Sequence, residues 1–212
     1  MNIQMIGISH CPKSQYYSRI CLDAWKSFGY EVNWFEATTP NTLWDEFPDV
    51  YNGELRFEKH KTRSGNRFTP TELAIWYSHY RLWQYAASNG PVHIIEHDTY
   101  PYRSLHDFQS NPMVVFSRFP AYHGSWLGTD AHISPGSGYY ITPEVANTMA
   151  EQVKNYRIIE NVDGYILKAL RRYWNIKDYE TLNETMLDYT SCFQIYNEEV
   201  GTSARHNEEW EL

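Results

Sequence analysis

Apolar residues recur along this chain with two periods, one near two and one near 3.6, and the alternation between them predicts the element order. Ile3, Met5, Ile6 and Ile8 form a short apolar run that closes before Pro12 and reads as a strand. From Tyr17 the apolar positions fall at Ile20, Cys21, Ala24, Trp25 and Phe28, a helical stripe that stops at Gly29. Tyr30 to Phe35 reads as a second strand. Strand, helix and strand in this compass are the βαβ unit of a parallel sheet, so the class is α/β with a mostly parallel central sheet flanked by helices.

Residues 48–67 lose periodicity, carry Pro48, Gly53 and Gly65, and predict a long, mobile, exposed loop. Thr69, Pro70 and Glu72 then set a helix start: a capping hydroxyl, a proline at the first helical position, and a carboxylate three residues after the cap. Leu73, Trp76, Tyr80, Trp83 and Ala87 continue it as a buried stripe to Asn89-Gly90. The β-rich run from Val92 ends in Glu96-His97-Asp98, and Pro101 bars its continuation as an inner strand. Met113–Ser117 and Tyr139–Ile141 are further strands. Thr142-Pro143 opens a helix to about Asn155, a last helix spans Gly164–Tyr173, and residues 175–212 form a less regular acidic extension.

A length of 212 residues predicts a single domain, since ~100–200 residues is the usual allotment. Eighteen Lys and Arg against 26 Asp and Glu leave a formal charge of −8, which argues against a dedicated, sequence-independent binder of polyanions. Locally the balance reverses: Arg56, Lys59, Lys61, Arg63 and Arg67 face only Glu58, as a solvated loop or as a contact for an acceptor or a phosphate. Three cysteines without CxxC spacing indicate neither a disulfide framework nor a thiolate zinc site. No apolar stretch approaches the ~18–20 residues of a membrane span, and no basic region precedes the N-terminal apolar run. A reducing cytoplasm is the expected setting.

Candidate chemistry concentrates at Glu96-His97-Asp98, because ligands of open α/β sheets bind beyond the carboxyl ends of strands. Alternation along a strand would turn Glu96 and Asp98 to one side and His97 to the other, giving an oxygen-rich pair for a hard cation such as Mn²⁺ or Mg²⁺, or else a charged turn without a ligand.

Residues 68–98, FTPTELAIWYSHYRLWQYAASNGPVHIIEHD, resemble the core segment of glycosyltransferase family 25, which includes bacterial lipooligosaccharide and collagen hydroxylysine galactosyltransferases. Phe68, Thr69, Pro70, Glu72, Ser78, His79, Trp83, Ile94, Ile95, Glu96 and Asp98 stand in the family's order and spacing, with His97 where the family has its middle acid. Weaker likeness extends to Phe35-Glu36-Ala37, to Gly136–Ala146, to Asn161-Val162-Asp163, to Gln194 and to Thr202-Ser203, whereas Ile8-Ser9-His10-Cys11-Pro12 departs from the family's motif after the first strand.

The resemblance implies a GT-A-like, Rossmann-like domain that transfers a hexose or pentose from a nucleotide sugar, UDP-linked by expectation, to an acceptor hydroxyl with metal assistance and inversion. It implies Asp98 and Glu96 as cation ligands, with His132 and His206 as candidates for a third. Nucleotide-sugar contacts fall at Glu36, Ala37, His97, Ser137 and Gln194. Read from the residues, Ser78 and His79, beside a long aromatic stripe, are structural support that braces the acidic strand end. Asp163 is the candidate base, with a helix N-cap as its alternative role. Lys59, Lys61, Arg63 and Arg67 are the candidate acceptor or phosphate contacts. Three functions differ in class: transfer to a saccharide or other small acceptor, transfer to a hydroxymethylated base in viral DNA within a host cytoplasm, and a non-catalytic saccharide-binding relative.

Overall fold

The computed structural model describes residues 1–49, 53–58, 67–101, 104–105, 112–118, 138–166, 169 and 187–194, with residues 116–118 and 187–194 described by backbone alone. Strand β1 (Ile3–Gly7), helix α1 (Pro12–Ser27) and strand β2 (Val32–Glu36) form the predicted βαβ unit, with Gly7 opposite Glu36 in a parallel register. Helix α1 starts earlier than its apolar stripe implies. Pro12 opens the helix, where its missing N–H costs nothing. Gly29, with φ of 83°, ends it by a conformation that residues with a Cβ adopt only with strain.

A single-turn helix α2 (Leu43–Glu46) and a two-residue strand β3 (Arg56–Phe57) precede helix α3 (Pro70–Asn89). The predicted capping box is present at the start of α3: Glu72 N donates to the Thr69 hydroxyl at 3.2 Å, and Thr69 N donates to the Glu72 carboxylate at 2.9 Å. Strand β4 (Val92–Glu96) then pairs in parallel with β1. Strands β5 (Thr99–Pro101), β6 (Met113–Arg118) and β7 (Gly138–Ile141), helix α4 (Pro143–Asn155), and strands β8 (Arg157–Ile158) and β9 (Leu187–Gln194) complete the labelled elements.

The main sheet has the order β2-β1-β4-β7-β6-β9-β5, and β3 pairs with β8 in a second, two-stranded sheet. The α/β class is therefore as expected. Strands β2, β1 and β4 run parallel, but β7 is antiparallel to both β4 and β6, so the far half of the sheet is mixed. Strand β5, which carries Pro101, stands at the edge, where a residue without an N–H is tolerated.

Two expectations need correction. Within the predicted exposed loop 48–67, Leu55 and Phe57 are buried and β3 hydrogen-bonds to β8, because Phe57 packs among Phe68, Trp76 and Tyr77. Residues 59–66, with Lys59, Lys61 and Arg63, lie outside the described residues. The extension 175–212 contributes β9, inserted between β6 and β5. Backbone hydrogen bonds to two neighbours hold a strand that side-chain periodicity did not reveal.

The sheet separates two cores by strict alternation. Ile94, Val115, Tyr139 and Ile141 face α3 and α4, while Met5, Ile95, Val114 and Tyr140 face α1. Trp25, Trp76 and Trp83 are fully buried, as their helical stripes predict, and each indole N–H donates: to Thr99 O, to Glu160 O and to the Tyr139 hydroxyl.

Candidate functional site

Because α1 covers one face of the sheet and α3 the other, the chain reverses its winding between β1 and β4. The carboxyl edge at such a switch point is where open α/β sheets leave a crevice. A cleft is found there, lined by Gly7 and Ile8 after β1, Ala37 and Thr38 after β2, and Glu96 and His97 after β4, with Ser78 and His79 of α3 as its floor. It holds about 50 Å³, room for one end of a ligand such as a phosphate, whereas whole ligand sites usually run to ~300–1,000 Å³.

The walls are fixed by hydrogen bonds within the chain. Ile8 N donates to the Ser14 hydroxyl at 2.9 Å, and Ala37 N to Gly7 O at 2.8 Å. Ser78 accepts from Thr38 N at 3.0 Å and donates to Ala74 O at 2.9 Å, tying the loop after β2 to α3. Glu36 accepts from Ser9 N and the Ser9 hydroxyl through one oxygen and from the Trp34 indole through the other. Its carboxylate thus braces the loop after β1 beside the cleft.

His79 is fully buried, with Nδ1 2.9 Å from the Tyr139 hydroxyl and Nε2 3.9 Å from Glu96 Oε1. Trp83 N–H already donates to the Tyr139 oxygen at 2.8 Å, so the tyrosine proton has His79 Nδ1 as its acceptor. Nε2, at 3.9 Å from Glu96 Oε1, is beyond hydrogen-bond reach of it and has no hydrogen-bond partner among the described residues. Burial first, and then the charges of Glu96 and Asp163, push the Tyr139 hydroxyl well above its ordinary range, opposed by the Trp83 hydrogen bond, so it stays a donor. Tyr139 was not among the predicted site residues. Its only sequence signal is its place in the strand of Gly136–Ala146.

The predicted pairing of Glu96 with Asp98 does not occur. Strand β4 ends at Glu96, and residues 97 and 98 form a turn, so strand alternation no longer governs their direction. Glu96 turns to His79 on the α3 side; Asp98, 8% exposed, acts instead on Tyr17 and Cys21 of α1, where burial and then its charge push the Cys21 thiol far up. Among the described residues no three His, Cys, Asp or Glu side chains group to hold a metal. Of the expected ligands, Glu96 and Asp98 thus act on different neighbours, His79 and Cys21, and His132 and His206 lie outside the described residues.

Asp163 is half-buried in a helical stretch, 162–166, and its charge reaches Tyr139. Asn161, not Asp163, caps that stretch, accepting from Gly164 N at 3.0 Å through its side chain. Thr142 stands at the N-cap of α4 as predicted but makes no side-chain capping bond. Arg67 is exposed just before α3. Gln194 lies in β9 opposite Thr99. His132, Ser137 and His206 lie outside the described residues. No described helix is long and apolar enough to cross a membrane.

No protein-family model matches the chain, and no curated protein matches it. Among solved structures it is similar to a glycosyltransferase involved in the glycosylation of the major capsid of PBCV-1, at 13% identity over 94% of this chain and 97% of that one with a TM-score of 0.45. An active-site mutant of LgtC is similar at 14% identity over 93% and 88% with a TM-score of 0.44. So is the CTP:phosphocholine cytidylyltransferase LicC of Streptococcus pneumoniae, at 10% identity over 92% of each chain with a TM-score of 0.42. Likeness this distant assigns neither an activity nor a ligand to the present chain.

Proposed function

We propose that the chain transfers a sugar from a nucleotide sugar, UDP-linked in the first instance, to an acceptor hydroxyl with inversion, as the resemblance to glycosyltransferase family 25 implies. One observation carries this reading. Three separated stretches of that resemblance, at Ala37, Ser78-His79 and Glu96-His97, line a single cleft at the switch point of the sheet.

In this reading the acceptor oxygen bonds to the anomeric carbon while the bond from that carbon to the diphosphate oxygen breaks, its electron pair leaving with the diphosphate. Asp163 takes the acceptor proton, a role supported by Asn161 having the cap and by the shared action of Asp163 and Glu96 on Tyr139. Glu96, which lines the cleft 3.9 Å from His79, accepts hydrogen bonds from donor hydroxyls there. No step is assigned to Mn²⁺ or Mg²⁺, whose expected ligands Glu96 and Asp98 act on different neighbours, His79 and Cys21.

The test is a panel of UDP-, GDP- and CMP-sugars, with and without Mn²⁺, read by thermal stabilisation and by release of the nucleoside phosphate. Stabilisation by one donor, lost in Glu96→Gln, is the expected result. A panel that neither stabilises the chain nor is turned over removes the proposal.

A further inference from the structure

A second concavity lies apart from the cleft, on the α1 side of the edge strand β2. It is an open groove of about 510 Å³, within the ~300–1,000 Å³ of small-ligand sites and ten times roomier than the switch-point cleft. Its centre is Trp34, 38% exposed on a strand whose free edge would ordinarily carry charged side chains.

The indole of Trp34 is held at both ends. Its N–H donates to Glu36 Oε2 at 2.7 Å. Its six-membered ring lies over Gly7, where an added Cβ would stand 2.2 Å from Cη2. Gly7 sits in an ordinary strand, so its missing side chain is explained by this close approach. A fixed, partly exposed aromatic face loses little freedom when a ring settles on it.

The fringe of the groove is polar and mixed in sign. Arg19 and Asp23 stand four residues apart on the exposed face of α1, with Gln15 one turn before Arg19 and Leu22 as an apolar backing. Gln15 donates to Ser9 O, which leaves its amide oxygen and one N–H for a ligand. Donors and acceptors thus surround an aromatic platform. The charges lining the groove, Arg19 and Asp23, balance, which disfavours a phosphate or a nucleotide and a simple cation alike.

We infer that this groove binds a neutral saccharide, one pyranose ring stacking its C–H face on Trp34 while its hydroxyls bond Asp23, Arg19 and Gln15. The site is distinct from the cleft, and its binding does not depend on whether the cleft transfers sugar.

The test titrates the full chain, without nucleotide or metal, with a panel of neutral methyl glycosides and disaccharides of gluco, galacto, manno and xylo configuration. Saturation-transfer NMR reads the binding. At least one member should bind with a millimolar Kd, Trp34→Ala should weaken it about tenfold or more, and Trp34→Phe should weaken it less. Asp23→Asn, an exposed change that leaves the fold intact, should weaken it several-fold, whereas Glu96→Gln should leave it unchanged. Silence across the panel at tens of millimolar overturns the inference. So does equal binding by wild type and both Trp34→Ala and Asp23→Asn, and so does loss in Glu96→Gln alone, which would put the saccharide in the cleft.

Discussion

Helices α1 and α3 both link parallel strands of the same half-sheet, yet they are built differently. In α3 eleven of 20 residues are buried, and the helix shares one core with the sheet and α4; in α1 six of 16 are buried, and the outer face meets solvent. A capping box closes the start of α3, whereas Cys11 at the N-cap of α1 makes no side-chain capping bond and no acid stands in its first turn. The difference divides labour across the sheet. Helix α3 carries Ser78, bonded to Thr38, and His79, bonded to Tyr139, at the cleft. Helix α1 is a cover whose free face makes the wall of the groove around Trp34.

The largest expected effect lies on the α3 side. Asp163→Asn should lower turnover by at least ~10², because a general base contributes about 10²–10⁴ and does so in the transition state. Donor-induced stabilisation should persist in the same variant. Normal turnover in Asp163→Asn would move proton abstraction elsewhere, with Glu96 as the next group to test.

Next in size is Tyr139→Phe. It removes a hydroxyl that serves Trp83 N–H and His79 Nδ1 together, in a fully buried place. A buried polar group stripped of its partner costs about 1–3 kcal/mol, to be read from urea unfolding. Donor affinity should fall along with stability if His79 orients Glu96. A loss of stability with donor affinity intact would make the chain of hydrogen bonds a core feature only.

This contrast also shows what the sequence made legible. The βαβ unit, the start and stop of α3 and the buried tryptophans follow from periodicity and caps, which act within a few residues. Contacts set by tertiary approach were hidden: Tyr139 meets His79 across 60 residues, and Gly7 looks unremarkable until Trp34 lies over it. The direction of Asp98 was misjudged for a local reason, since strand alternation was carried two residues past the end of β4.

Alkaline titration separates the two faces on a third scale. Burial, first among the causes, raises the hydroxyls of Tyr77, Tyr80 and Tyr139 on the α3 side and the thiol of Cys21 on the α1 side. Each group holds its proton longer when folded than unfolded, so its stabilisation is complete below the unfolded pKa and is lost as pH rises toward the folded one. The unfolded values are 9.0 for the thiol and 10.0 for the phenols, so the α1 side should weaken first. Each group should cost ~1.4 kcal/mol per pH unit in its window. Chemical unfolding from pH 8 to 11 checks this, with Cys21→Ala flattening the slope just above pH 9 and Tyr139→Phe flattening it only above pH 10.

The smallest effects sharpen the comparison at the helix starts. Thr69→Ala removes the hydroxyl that accepts from Glu72 N and leaves the Glu72 carboxylate to cap alone, so the loss should be about 1 kcal/mol. At α1 the opposite change is available. Cys11 already has the extended backbone of an N-cap, with φ of −96° and ψ of 114°, and lacks only an oxygen to accept an N–H of the first turn. Cys11→Ser should therefore stabilise, by no more than about 1 kcal/mol, against the loss of a half-buried thiol's contacts with the core beside α3. If Thr69→Ala proves neutral while Cys11→Ser destabilises, local capping is not what distinguishes the helices. Their difference then resides in burial alone: α3 is ordered by a core shared with the sheet and α4, and α1 by one face and the loop that Ser14 pins to Ile8.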